Sequence, residues 1–321
     1  GSHYYNSIYT QLGTYTYYIR ANDTNGNTAQ STGDTFTIQD TSPPPTVHIS
    51  YVDDDYTPMT PGWGTDHFNT IQHGIDAVLE QGTVYVHNGT YTENILIGKT
   101  LQLIGNCSTS TIIDTEQGYT CIYISASNVT ISGFTIQNSY YGGIYISYGA
   151  SHTVIIGNVI TGNYREGIRI LYSGNNIIRD NVISNNTYGI YSNRSSGNVI
   201  YHNNFIDNVI HAYDNKTSMW DKGYPCGGNY WSGYTGVDLD EDGIGDMPYL
   251  LFMTVHDAFP LINKWMGKGD VNSDGIVNET DLDVFIDAFT IEEKYHVICD
   301  FNNDLIVDLT DIDSFAYIFS T

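Results

Sequence analysis

Apolar positions along this chain keep two rhythms. Across "HFNTIQHGIDAVLEQG", Phe68, Ile71, Ile75, Val78 and Leu79 recur at helical spacing, and Gly82 stands where a C-cap is expected. The segments that follow run at period two in short bursts. "TVYVHNGTYTENILIGKTLQLIG" and "STIIDT" predict brief strands separated by turns. Near the N-terminus, "GTYTYYIRANDTNGNTAQSTGDTFTI" predicts a strand, an Asn-Gly turn and a second strand. "DTSPPPT" (Asp40–Thr46) reads as a stiff polyproline linker.

Further on the bursts repeat. "NVTISGFTIQN", "TVIIGNVITGN", "NIIRDNVISNN" and "NVIYHNNFIDN" begin at Asn128, Thr153, Asn176 and Asn198, at spacings of 25, 23 and 22 residues. A second strand follows each: "GIYI" from Gly143, "GIRI" from Gly167, "GIYS" from Gly189 and the weaker "HAYD" from His211. One such repeat is too short to bury its own apolar face. Stacked copies pair every strand with the one above and below and share one core, so the pattern predicts a solenoid. Val129, Val154, Ile177 and Val199 are the expected inward positions. Asn recurs at one corner as Asn158, Asn181 and Asn203, and at another as Asn138, Asn163, Asn186 and Asn208. Asn tolerates the left-handed backbone of tight corners, and its amide can bond the next amide in the stack. The second strands offer one outward column, Tyr145, Arg169, Tyr191 and Tyr213, flanked by Arg165, Glu166 and Asp214. Rings at about 4.8 Å spacing suit sugar faces, and they equally suit a solvent-facing ladder that steadies the sheet.

Charge narrows the partners. The chain has 36 acidic against 11 basic residues, a formal charge of −25. That disfavours nucleic acid and anionic membrane surfaces. No run of 18 apolar residues is present, so no transmembrane helix is expected. Eight N-x-S/T sequons, at Asn22, Asn88, Asn106, Asn128, Asn185, Asn193, Asn215 and Asn278, suit a secreted or cell-surface protein. Cys107, Cys121, Cys226 and Cys299 show no zinc spacing; Cys107 and Cys121 are near enough in sequence to pair between neighbouring turns.

The acidic residues are not evenly spread. "DVNSDGIVNETD" and "DFNNDLIVDLTD" place oxygen donors at positions 1, 3, 5, 7, 9 and 12, the set that calcium takes from a 12-residue loop. The first offers Asp270, Asn272, Asp274, the Ile276 carbonyl, Asn278 and Asp281. The second offers Asp300, Asn302, Asp304, the Ile306 carbonyl, Asp308 and Asp311. Gly275 makes the bend of the first loop, and Leu305 replaces it in the second. Amphipathic segments follow each loop, from Leu282 and from Ile312. A third loop, "DLDEDGIGD", offers Asp238, Asp240, Asp242, the Ile244 carbonyl and Asp246, without a carboxylate at position 12. "DDD" (Asp53–Asp55) is a weaker candidate.

Residues 47–266 resemble the right-handed parallel β-helix of the pectin-lyase-like superfamily, and more narrowly the NosD-like repeat proteins of archaeal cell surfaces. "VDDDYTPMTPGWGTDHFNTIQHGIDAV" (Val52–Val78) is similar to the segment that opens such helices. "GGNYWSGYTGVDLDEDGIGDMPY" (Gly227–Tyr249) and "DAFPLINKW" (Asp257–Trp265) are similar to their closing segments. The two C-terminal loops, each with Asp at position 12 and no entering helix, resemble a dockerin module. That resemblance implies a cohesin partner facing Glu279, Thr280, Leu309 and Thr310. Residues 4–40 resemble the last strands of an immunoglobulin-like domain. The expected organisation is a strand fragment with its linker (1–45), a mainly β parallel β-helix with an N-terminal capping helix (46–266) and a small helical dockerin (267–321) holding two calcium ions, with one more possible at the end of the β-helix. The expected role is a carbohydrate-binding or adhesive surface protein. The alternatives are a polysaccharide lyase, epimerase or glycoside hydrolase, or a structural spacer. No paired Asp with Gly-His-Gly and no Arg-x-Pro-x-x-Arg run is present, and five scattered Met without a His/Cys cluster give no copper site.

Overall fold

A computed structural model describes residues 13–17, 20–22, 28–30, 32–38, 47–224, 226–240 and 242–265. The chain divides into two compact units, Gly1–Pro44 and Pro45–Thr321. In the first, Gly13–Tyr17 pairs antiparallel with Asp34–Ile38, and Arg20–Asn22 with Thr28–Gln30. In the second, the chain winds through three parallel sheets of eight, seven and six strands, a right-handed β-solenoid of about six turns.

The turns from Thr130 to Asp214 are built the same way. A three-residue strand enters the first sheet, a corner leads to a three-residue strand in the second, and another corner leads to a longer strand in the third. The turns before them, over 78–124, use strands of three to nine residues. Three-residue strands point only their middle residue inward. Ile131, Ile155, Ile178 and Ile200 therefore stack in register in the first sheet, all 0% exposed. Ile136, Ile160, Ile183 and Phe205 do the same in the second. Full burial of each such side chain contributes about 2 kcal/mol. Three of the four expected inward positions are thus displaced by one residue. Val129 is buried in the corner before its strand, but Val154 and Val199 lie on the outer side of theirs and Ile177 is 37% exposed. Runs such as "TVII" are apolar at both parities, and a slip of one residue exchanges the faces.

The corners carry the asparagines. Phe134 N–H donates to Asn158 Oδ1, Asn158 N–H to Asn181, Asn181 N–H to Asn203 and Asn203 N–H to Asn229, at 3.0–3.1 Å. A second ladder runs from Ser139 through Asn163, Asn186 and Asn208, and a third from Thr153 through Asn176 to Asn198. The left-handed residue precedes each rung: Gly157, Asp180 and His202 before the first ladder, Asn138, Gly162, Asn185 and Asp207 before the second. Asn138 is accordingly exposed, and Ser139 takes the rung expected of it.

The helix runs Ile71–Ala77, shorter than the apolar spacing suggests. Thr70 caps it, and Glu93 accepts from the Ile71 and Gln72 N–H groups at 2.8 and 3.0 Å. Gln72 in turn bonds both backbone groups of Leu96 in the end strand Ile95–Ile97. Gly82 is not its C-cap. It lies inside the strand Val78–Val86, where a Cβ would stand 2.7 Å from that of Val78. At the other end, Phe205, Trp231 and Tyr249 stack at 4.3 and 4.5 Å. The first asparagine ladder finishes on a buried carboxylate there: Asp257 Oδ2 accepts from Asn229 N–H at 2.7 Å and from Trp231 Nε1–H at 2.9 Å. Burial pushes the Asp257 pKa up to about 7 against these donors.

Candidate functional site

On the outer side of the third sheet, Tyr123, Tyr145, Arg169, Tyr191 and Tyr213 occupy one register position in five successive turns. Inward Ile144, Ile168 and Ile190 fix that side of the sheet, so the intervening residues must face out. Tyr191 and Tyr213 are stacked at 4.9 Å and 10°. The Arg169 guanidinium lies between Tyr145 and Tyr191, 5.4 and 5.9 Å from their centroids. Tyr123 and Tyr145 meet edge to face at 5.1 Å and 89°. From Tyr145 to Tyr213 the column turns ring faces on its own members and offers ring edges, hydroxyls and the rim of a guanidinium to a ligand.

Beside the column sits Glu166, 2% exposed, with its Oε1 3.8 Å from Arg169 and 3.9 Å from Arg165. Gly142 lies in register one turn before and leaves its carboxylate room; a Cβ there would be 3.7 Å from Oε2. Glu166 Oε2 and Arg169 Nε are buried without a hydrogen-bond partner. Burial raises the Glu166 pKa, and the charges of Arg169 and Arg165 pull it back. A carboxyl held between two guanidiniums near a surface of hydroxyls can hold a proton or orient a polar ligand. Asp214, the other flanking acid of the sequence reading, is turned inward. It is fully buried and accepts from Lys216 N–H, Ser218 N–H and Trp220 Nε1–H.

Oxygen donors gather at two places. Carboxylate oxygens of Asp238, Asp240 and Asp242 lie within 4.8 Å of one another, as do those of Asp53, Asp54 and Asp55. The 238–246 loop is drawn tight from inside. Asp238 accepts from Asp242 and Gly243 N–H, Asp242 from Ile244 N–H, and Asp246 from Leu239 N–H. Gly243 takes φ +87° at the bend. Burial raises the Asp242 pKa, with Asp240 and Asp238 adding to it and the Ile244 N–H opposing it. Asp270 to Asp281, Asp300 to Asp311 and the positions expected to face a cohesin (Glu279, Thr280, Leu309 and Thr310) lie outside the described residues.

No soft-donor cluster accompanies these among the described residues. Among the described residues, the groups of three or more His, Cys, Asp or Glu that could hold an ion are the two all-aspartate ones. Met59, Met219, Met247 and Met253 are exposed at separate points. Cys107 and Cys121 do not pair: Cys107 is an exposed free thiol and Cys121 a buried one, its pKa pushed up to about 12 by burial. Proximity in sequence did not bring them together, because Cys121 points into the core and Cys107 out of a corner. No described helix is long and apolar enough to cross a membrane.

The sequence reading missed one set of residues near the column. Tyr119, Tyr140, Tyr141 and Tyr164 crowd the outside of the corner between the second and third sheets. The doublet "YY" at 140–141, with a third tyrosine at the same place one repeat on, was the available signal.

Against known proteins, the family described as "Periplasmic copper-binding protein (NosD)" matches residues 29–236. Pectin methylesterase PemA from Erwinia chrysanthemi is 15% identical, with a TM-score of 0.41 over 58% of this chain and 64% of that one. The alginate lyase of Paenibacillus sp. str. FPU-7 is 16% identical, with a TM-score of 0.34 over 45% and 62%. ORF18 of Geobacillus virus E2 is 18% identical, with a TM-score of 0.37 over 48% and 38%. The match thus spans less than two thirds of each of these chains. No curated protein matches.

Proposed function

The chain belongs to the NosD family, and we propose from that premise that it is an extracytoplasmic protein whose β-helix binds glycans. The observation that carries this reading is the outer surface of the third sheet, with five aromatic or guanidinium groups in register over successive turns. A polymer of flat, hydroxyl-rich units meets there a repeat of the same kind as its own. Copper does not fit the described residues. The family's description names that metal, yet the donors that gather here are carboxylates, which suit hard cations.

Calcium fits better. The tight loop at Asp238, Asp240, Asp242, Ile244 and Asp246 supports one ion, and the two aligned loops from Asp270 and Asp300 support two more in a dockerin that docks on a cohesin. Calcium bound to these loops couples to folding, so a chelator is expected to loosen the C-terminal module first. Unchanged hydrogen-exchange protection over 267–321 after chelation would count against that module. The immunoglobulin-like reading of residues 4–40 is supported by their alternation and by antiparallel pairing.

Glu166 favours a second reading, an enzyme acting on the same polymer, because a buried carboxyl with a raised pKa beside Arg169 is equipped for proton transfer. One experiment separates the two. The full chain with calcium is incubated with neutral and acidic polysaccharides, and unsaturated-uronate absorbance, new reducing ends and retention on the polymer are followed. Retention without turnover is expected. Turnover abolished by Glu166→Gln would establish the enzyme, and neither turnover nor retention would leave a spacer.

A further inference from the structure

At the corner between the second and third sheets, two tyrosine pairs are stacked along the solenoid axis. Tyr119 and Tyr141 lie at 5.4 Å and 4°, Tyr140 and Tyr164 at 5.0 Å and 5°. Tyr140 and Tyr141 meet edge to face at 83°, which joins the pairs into one aromatic patch. Tyr119 is 73% exposed and Tyr164 66% exposed. Stacking of this kind leaves one outer face of each end ring to solvent, a costly exposure of apolar area unless something covers it.

The patch opens onto two clefts that share Gly162 and Tyr164. One, of about 670 Å³, extends toward earlier turns and is walled by Asp114, Glu116, Gln117 and Tyr140. The other, of about 400 Å³, extends toward later turns and is walled by Asn185, Thr187 and Asp207. Together they trace a trough across successive turns. Its polar groups are amides, hydroxyls and carboxylates, and no Lys or Arg lines either cleft. Burial works to raise the Asp114 pKa, but hydrogen bonds from Glu116 N–H, Gln137 and Asn138 outweigh it and hold the carboxyl below the usual range. The trough is therefore negative at neutral pH. Arg165, which follows Tyr164 in sequence, lies over the Tyr141 ring at 5.9 Å.

We infer that this trough is a second glycan subsite, distinct from the Tyr145–Tyr213 column, and that it takes a chain of neutral or amine-bearing sugars and excludes uronates. Ring faces supply the stacking surface, Gln117, Asn185 and Thr187 the hydroxyl partners, and Asp114, Glu116 and Asp207 the charge that repels a carboxylate. The inference rests on the glycan-binding reading above and makes it more specific.

Titration calorimetry of the full chain with calcium tests it, using cellohexaose, a chitosan hexamer and a galacturonate hexamer as probes. The first two are expected to bind, the chitosan hexamer more tightly at low salt, and the uronate is expected not to. Tyr140→Ala and Tyr164→Ala should each weaken binding about tenfold, while Tyr148→Ala, an exposed ring outside both the trough and the column, leaves it unchanged. Both trough residues are at the surface, and a melting curve checks that the variants stay folded. Loss through Tyr213→Ala or Arg169→Ala with no effect at Tyr140 and Tyr164 would keep the glycan reading and overturn the trough. Preference for the uronate would overturn its charge selection. No binding by any probe would overturn both.

Discussion

Two columns, one residue apart in sequence, run along the corner between the second and third sheets. The inward column reads Ser139, Asn163, Asn186, Asn208; the outward one reads Tyr140, Tyr164, Thr187, Val209. Inside, each amide accepts a backbone N–H from the turn before and passes its own N–H groups on to further partners. A change at one rung leaves partners unsatisfied on both sides, and the penalty for a buried, unmade hydrogen bond keeps the column uniform. Outside, water satisfies whatever the chain presents, so the residue type is free to follow a ligand. Repetition from turn to turn marks what the fold needs. Departures from repetition on the outer side mark where chemistry has room.

The inner column should break most severely. Asn181→Ala removes the acceptor of Asn158 N–H and Nδ2–H and the donor to the Ile155 and Arg179 carbonyls. A loss of about 3–5 kcal/mol is expected from several buried groups left without partners. Urea denaturation would measure it. Asn138→Ala, at an exposed left-handed position that suits Asn better than Ala, should cost less, about 1–2 kcal/mol. Equal losses at the two sites would remove the distinction between rung and corner.

The end of the first ladder should respond next. Asp257→Asn replaces one of two acceptor oxygens by an NH₂, which then faces either Asn229 N–H and Trp231 Nε1–H or Phe259 N–H, at about 2 kcal/mol. Its pH dependence has a definite sign. The folded pKa, about 7, is above the unfolded value of about 3.9. The group's contribution is therefore full below the unfolded pKa and is lost as pH rises through 7. Melting temperature should fall between about pH 4 and 7 in the native chain and flatten there in Asp257→Asn. A pH slope retained by the variant would assign it to another group.

These two predictions also show what the sequence made legible. The solenoid followed from the 22–25-residue period, and the asparagine corners from their recurrence, because both are imposed by stacking and so are written once per turn. Which residue of "TVII" points inward was not legible, since a three-residue strand holds too little alternation to set parity. Asp257 gave no signal as the ladder's end, because it lies 28 residues from Asn229 and 26 from Trp231 and is itself part of no repeat. The Tyr145–Tyr213 column was visible because it recurs. Its self-stacking was not, because ring orientation is set by the neighbour in the next turn. The tyrosine patch at 119–164 went unread because each of its two positions holds tyrosine over only two successive turns.

On the outer side of the third sheet, Arg169 combines both behaviours. Arg169→Ala removes two ring contacts and one of the two cations beside buried Glu166. A loss of about 1–2 kcal/mol is expected, most of it from the carboxylate left with fewer partners. Glu166→Gln in the Arg169→Ala background should recover part of it. A double-mutant cycle gives the coupling directly, and strictly additive losses would mean that the pair is not an interacting unit.

The smallest effect on stability should come from the outermost ring. Tyr164 makes one ring contact, with Tyr140, and is otherwise open to solvent. Its removal returns little apolar area to water and leaves no buried donor unsatisfied, so Tyr164→Ala should shift stability by less than about 0.5 kcal/mol. Thr187 still bonds the Tyr164 carbonyl through its hydroxyl, a contact that the substitution keeps. If the outer column is free to serve a ligand, glycan affinity must fall at this position while the melting temperature stays. If instead the melting temperature falls as it does for a ladder asparagine, the ring is part of the scaffold, and variation along the outer column reflects local packing and not recognition.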